Sequence, residues 1–511
     1  MGKGIIVILI ANILNMVFGL ATGFILPKYL SVETYAIIKT FQLYLSFVGL
    51  FHMGYADGMY LRYGGKNLKD LNKKSLKTTI FTMNIFQMIV SIVMVIASIK
   101  LNKLLLILFS LDIFGYNMVD FYKRMYQAIG QFKSYSRVIN IVTALNFVSN
   151  MMLLLIIKSD NAYLYVLGYV IVDYFMLFVL TIKFSKIFNS IKICIFEFNE
   201  LISNIKEGIL LLFGNFSSII LTSMDRWFTK ILLTTIDFAQ YSFAVSIENF
   251  LNIAITPVTI TFYNYLCRIQ SKTRIIQLRN YINIFSACLM TSFFPVKFIL
   301  EIYLDKYYQS LNVITFLFAS QFFYIIIKSI YVNLYKSRLQ QRRYFIQVVI
   351  VIMVGFLLNV LLYKITPCKE SFSVGTFISA MIWYLICILD VKDIRPLAKE
   401  LLFVIFEVCI FIVSAFIFNS IIGFVVYIIT TLIMIFIFMR ETAIIMLNFI
   451  FESIKNKGGS IQSYVLLSLF LFIILLRGRS NVVFLNEFII YFLWMIKRSY
   501  PRTIFIKILT S

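Results

Sequence analysis

The chain has 511 residues, of which 61% are hydrophobic and only 14% charged, with a mean hydropathy of +0.91 and a formal net charge of +24. Apolar content of that order excludes a soluble globular protein, and the absence of apolar/polar alternation excludes a transmembrane β-barrel. In a soluble protein so basic a balance would point to nucleic acid, so the position of the cations decides what the charge means.

In hydrocarbon each backbone N–H and C=O must be satisfied within its own segment, so apolar runs of about 18 to 23 residues read as spanning helices. In chain order they are expected at about 5–26, 34–54, 79–99, 104–122, 138–157, 163–182, 209–232, 241–264, 281–303, 312–333, 345–363, 374–391, 400–419 and 421–439, about fourteen in all. The first lacks a small-residue cleavage site and carries Asn12 and Asn15, so it reads as a retained helix and not a signal peptide. The cations alternate by loop. About 29 Lys and Arg, among them Lys73, Lys74, Arg124, Arg279 and Lys336, fall on one side, against about 7 (Lys28, Lys100, Lys103, Lys158, Lys306, Lys364 and Lys369) on the other. This bias places the N-terminus in the cytoplasm and makes the basic balance topological, with no nucleic-acid partner expected.

The longest connections, 55–78 and 183–208, are cytoplasmic on this count, and the external ones are roughly 2 to 12 residues. A membrane-embedded polysaccharide polymerase or ligase would need a long external loop to hold its acceptor, so an enzyme of that class is disfavoured. Walker, HExxH and GxSxG motifs are absent. The six cysteines lack CxxC spacing and indicate neither a metal nor a disulfide framework, and no cofactor is expected. His52, the single histidine, reads as an interfacial polar residue at the cytoplasmic end of the second span. A weak repeat pairs Ala11-Asn12 with Gly214-Asn215 and Tyr35 with Tyr241. It divides the chain into six-helix lobes at 1–207 and 208–399, a helix pair with a short amphipathic segment at 400–457, and an extension of unassigned role at 458–511.

Three segments carry a family resemblance: GlyTyrAlaAspGlyMetTyrLeuArgTyrGlyGly at 54–65, TyrGlnAlaIleGlyGlnPheLysSerTyrSer at 126–136, and AsnPheSerSerIleIleLeuThrSerMetAspArgTrpPheThrLys at 215–230 followed by AlaGlnTyrSerPheAla at 239–244. In order and spacing they resemble the Wzx-type polysaccharide repeat-unit flippases of the multidrug/oligosaccharidyl-lipid/polysaccharide exporter superfamily. The resemblance implies a two-lobed helical bundle in the bacterial cytoplasmic membrane. It would move an undecaprenyl-diphosphate-linked oligosaccharide to the outer leaflet for O-antigen, capsule or exopolysaccharide synthesis, beside the polymerase and glycosyltransferases of that pathway. A lipid II flippase or a multidrug exporter of the same superfamily are the alternatives.

Five cations fall inside expected spans: Lys39, Arg226, Lys230, Lys297 and Lys328. A cation at the bilayer centre costs about 2.5 to 3.5 kcal/mol on insertion scales, so each is expected to face a cavity, a partner or the interface. A diphosphate is an anion such residues hold, Arg through its planar fork and Lys as a point charge. Lys230 and Lys328 lie near span ends and can snorkel, and Lys297 has Glu301 one turn on as an ion-pair partner. Lys39 and Arg226 lie on the second and seventh spans, which line the cavity in the family resembled. Asp225 and Glu248 are expected either to pair with Arg226 or to serve in ion coupling. Anionic cargo leaving an inside-negative cell would gain about 2.3 kcal/mol per charge per 100 mV, so the membrane potential itself is a candidate driving force.

Overall fold

The computed structural model describes residues 17–19, 21–64, 72–187, 196–267 and 271–446, and these form helices without a strand. After α1 (helical residues 17–19 and 21–29) come α2 Val32–Ser46, α3 Tyr55–Tyr63, α4 Lys73–Lys100, α5 Leu104–Ala128, α6 Phe132–Met151 and α7 Ala162–Ile187. Then follow α8 Phe198–Leu232, α9 Thr235–Leu266, α10 Lys272–Met290, α11 Phe293–Tyr303, α12 Leu311–Ile326 and α13 Asn333–Ser337. α14 Gln341–Ile365, α15 Lys369–Asp390, α16 Ala398–Ile417 and α17 Ser420–Phe438 complete the set.

Twelve helical segments are long and apolar enough to cross a membrane among the described residues. α9 is a further 32-residue helix where the eighth span is expected, and α1 is the described end of the first. The chain is therefore an all-α, multi-pass membrane protein, and the expected order of spans is the order of its helices. Side-chain caps fix several starts. Asn72 accepts from the amides of Lys74 and Ser75, Thr234 from Asp237 and Asn419 from Ile422, each satisfying an N–H that the first turn leaves unpaired. Gly130, at φ 70°, ends α5 in the left-handed region.

Two expected loops turn out to contain helix. α3 occupies the first part of the 55–78 connection, and α8 starts at Phe198, so it runs unbroken through residues 207 and 208. Apolarity alone missed these turns because they mix charged and apolar residues, and what folds them is contact between the two helices. Gly58 lies against the backbone of Asn204, and Gly208 against Gly54 and Gly58, so closely that any side chain would collide with main chain. Tyr55 donates to the Thr79 carbonyl at 2.9 Å, and Arg62 reaches Glu200 at 2.7 Å and Glu207 at 3.2 Å. The amphipathic segment expected at 440–457 is described only to 446, and 458–511 lies outside the described residues.

Buried apolar side chains form one large cluster drawn from α9 to α17 with Tyr35, Ala36 and Leu43 of α2, and three smaller ones drawn from residues 26 to 201. α8 starts against the second group, through Leu201, and ends against the first, through Leu221, Trp227 and Phe228. It thus touches both groups, as α2 does through Ile38 and Phe41. Arg279, expected in a cytoplasmic loop, is instead fully buried, with hydrogen bonds to Glu400 at 2.6 Å and to the Ile394 carbonyl. Glu400 also accepts from Asn280 at 2.6 Å and from the Leu397 amide at 2.7 Å, tying the start of α16 to α10.

The charge-based orientation has a direct test, because Lys73 and Lys306 are both exposed. With single cysteines at these positions in a cysteine-free chain, an impermeant thiol reagent added to intact cells should label 306 and miss 73. Labelling of 73 alone would invert the topology.

Candidate functional site

The second half of α8 passes a cavity of about 410 Å3 walled also by α9, α12 to α13, α14 and α15. Arg226 and Lys328 line it together with Asp225 and Glu248, so four of the residues singled out by sequence meet there. Neutral donors and acceptors complete the wall, including Thr222, Asn249, Asn252 and Gln321, with Tyr324 and Trp383 as aromatic surface.

Arg226 donates from Nη2 to Ser223 at 2.9 Å, and its buried Nε has no partner. Its carboxylate neighbours are engaged elsewhere. Asp225 takes the Tyr241 hydroxyl at 2.6 Å and the Arg226 backbone amide at 2.8 Å, and Glu248 takes the Gln321 amide at 2.5 Å. Both acids are near enough for their charge to act on the guanidinium, but neither forms a hydrogen bond with it among the described residues. The expected Arg226 ion pair is therefore not formed, and the fork keeps free N–H capacity. Such a group in low dielectric is under-satisfied and draws an anion. Lys328 stands 5.4 Å from the centre of the Tyr324 ring, on the π-helical turn Ile327–Val332 that joins α12 to α13. A turn of that kind re-aims side chains relative to a regular helix.

Lys39 and Lys230 lie at the contact of α2 with α8 and α9 and do not line this cavity. Lys39 donates to Gln42 at 2.9 Å and sits over the Tyr35 ring, and its charge is felt by that of Arg226. Lys230 crosses to Thr40 of α2 at 2.9 Å and lies between the Tyr44 and Phe238 rings. Lys297 lines a different cavity, of about 400 Å3, with Tyr308, Asn312, Lys369 and Glu370. Its ammonium donates to the carbonyls of Ala415 and Phe418 at 2.8 and 2.6 Å, capping the end of α16, while Glu301 accepts from Ser420 at 2.5 Å. The intrahelical pairing expected from their spacing gives way because unpaired carbonyls at a helix end are strong acceptors for a lysine.

Reasoning from spans missed Lys336, which lines the same cavity but was assigned to a loop, and the amide and aromatic residues of α9, α12 and α15. Neutral residues on several helices leave no periodic trace that separates them from packing. It also missed a polar group beside the middle of α8. There Arg124 bonds Asp120 at 2.6 Å and also Asp57, whose carboxylate accepts from Asn215 of α8 at 3.3 Å. His52 is buried there. Its Nδ1 accepts the Gly54 amide at 3.1 Å and its Nε2 lies 3.9 Å from Asp57.

No family model matches the sequence, and no curated protein matches it. Solved structures do. The lipid II flippase MurJ, in an inward-closed conformation, superposes with a TM-score of 0.57 at 16% identity, covering 85% of this chain and 99% of that one. A mutant of the Vibrio cholerae MATE transporter VcmN gives 0.42 at 13% identity over 76% and 95% of the two chains. An outward-facing multidrug resistance MATE transporter of the MOP superfamily gives 0.42 at 15% identity over 76% and 94%. The chain has the fold of MurJ over most of its length.

Proposed function

We propose that this protein is a flippase of the cytoplasmic membrane that carries an undecaprenyl-diphosphate-linked oligosaccharide from the cytoplasmic to the outer leaflet. Its N-terminus is cytoplasmic and its two lobes alternate access to the cargo. The observation that supports this reading most is the unpaired Arg226 fork facing a polar cavity that also holds Lys328. A cavity for cationic drugs would present carboxylates without neighbouring cations, whereas here Asp225 and Glu248 share the lining with Arg226, Lys328 and Lys336. Arg226 and Lys328 bind the diphosphate, and the amides and aromatic rings around them meet the first sugar, which offers both hydroxyls and an apolar face. Lys39 and Lys230 add positive potential at the edge of the site from the α2 and α8 contact. Lys297 supports the fold. The likeness to the lipid II flippase MurJ favours lipid II as a second reading, with the same chemistry at the diphosphate.

The test is export of the lipid-linked oligosaccharide in cells, normalised to protein in the membrane. Arg226→Lys keeps the charge and loses the fork, and Arg226→Ala removes both, so activity should fall in that order, the alanine variant by roughly tenfold or more for a lost charge-assisted contact. Because Arg226 makes no side-chain hydrogen bond to Asp225 or Glu248, adding Asp225→Ala or Glu248→Ala should not restore export. Full recovery in either double variant would make Arg226 a structural ion-pair partner and remove it from the site.

A further inference from the structure

The cavity of about 400 Å3 beside Lys297 shares no lining residue with the one that holds Arg226. Lys297 enters it from α11, Asn312 and Thr315 from the start of α12, Lys369 and Glu370 from the start of α15, and Phe416 from the end of α16. The cation count places this end of the bundle outside. Two ammonium groups meet the cavity although both lysines are buried, Lys297 at 4% and Lys369 at 7% exposure. Their surroundings differ. Lys369 donates to Gln240 at 2.6 Å and has carboxylates at 3.4 Å in Asp237 and 4.0 Å in Glu370. Lys297 donates to the carbonyls of Ala415 and Phe418, which take two of its three N–H groups, and it forms no ion pair among the described residues.

We infer that this cavity is a second anion site, which binds a phosphate group through the ammonium groups of Lys297 and Lys369 and the amide of Asn312. A buried cation without a counter-charge is costly, and here the space beside it is open to a ligand that supplies one. Glu370, the carboxylate in the wall, is turned to Lys369 and leaves Lys297 unbalanced. Tyr308 adds a hydroxyl to the neutral donors. The volume lies in the range of small-molecule pockets and admits a phosphodiester with its substituents as well as a bare phosphate. Phe416 lines the cavity and, with Ile417, also gives α16 an apolar outer surface, so a phospholipid head group can arrive along the bilayer as free phosphate can from solution.

The experiment places a cysteine at Tyr308, an exposed residue of the cavity wall, in an otherwise cysteine-free full-length chain in phosphatidylcholine vesicles, and follows its reaction with an uncharged maleimide. Inorganic phosphate on both sides of the membrane is one arm, and phosphatidylglycerol added to the bilayer is the other. At saturation one or both should slow the reaction by about fivefold or more, while a cysteine at Lys103, exposed on the same side and outside the cavity, reacts at an unchanged rate. Protection by phosphatidylglycerol alone supports the site with a lipid head group as occupant, and protection by phosphate supports it with the free ion. Asn312→Asp builds a carboxylate into the cavity at an exposed position that folding tolerates, and it should abolish the protection. Lys297→Gln should do the same but also loosens the end of α16, so Asn312→Asp carries the decision. No protection by either anion, equal protection at Lys103, or protection that survives Asn312→Asp overturns the inference. None of these readouts requires transport, so failure of this site and failure of the function proposed above are separate results.

Discussion

Replacing Gly208 with valine is expected to reduce export by at least tenfold while the protein still inserts. In this structure α3 and α8 meet backbone to backbone, and a Cβ on Gly208 would fall within the Gly54 carbonyl and the Gly58 amide. Nothing there is the flexible end of a side chain, so the helices must separate, at a cost of about 1–3 kcal/mol or more. The separation matters because α8 is continuous from this contact to Arg226, so displacing its first half moves the guanidinium in the polar cavity. The Arg62 bonds to Glu200 and Glu207 and the Asn215 bond to Asp57 hold the same junction from either side. Accessibility gives the structural readout. A cysteine in place of Thr222, which is exposed to the cavity, should react faster with a thiol reagent supplied from the cytoplasmic side in the Gly208→Val background. Unchanged export and unchanged labelling would show the glycine contact to be incidental.

The second large effect concerns stability. Arg279 is buried with Glu400, and four hydrogen bonds converge on the pair. Removing one partner leaves an uncompensated charge in the interior, typically at a cost of about 3–5 kcal/mol, whereas replacing both with apolar residues removes the desolvation cost along with the attraction. Arg279→Met should therefore sharply lower the unfolding temperature of the detergent-purified protein and its abundance in the membrane. Adding Glu400→Leu should recover part of both. A single variant as stable as the parent would mean the pair is not buried in the working protein.

The sequence made the class and the order of spans legible because hydrocarbon imposes one rule along the whole chain, that an apolar run of sufficient length is helical. The same rule hid α3 and the first part of α8. Their charged residues, Arg62, Glu200 and Glu207, look like loop residues until the facing helix supplies partners. The motif at 54–65 carried the missing signal, since Gly54 and Gly58 are the positions where only a missing side chain permits the approach of α8. Within the site, Arg226 and Lys328 could be found because cations in apolar runs are conspicuous. Lys297 was conspicuous for the same reason but caps α16 and lines a separate cavity, since composition cannot say which helices a buried ammonium will meet. Gln321, Asn252 and Trp383 left no mark, because neutral polar and aromatic residues on separate helices become a group only when the helices pack.

The central claim is tested most directly by reconstituting the purified chain in vesicles and following a fluorescent undecaprenyl-diphosphate-linked oligosaccharide from the inner to the outer leaflet with an impermeant quencher. The account predicts that the protein accelerates this lipid and not a zwitterionic phospholipid bearing the same fluorophore, and that Arg226→Ala removes most of the acceleration. No acceleration over protein-free vesicles, or equal acceleration of both lipids, would contradict it.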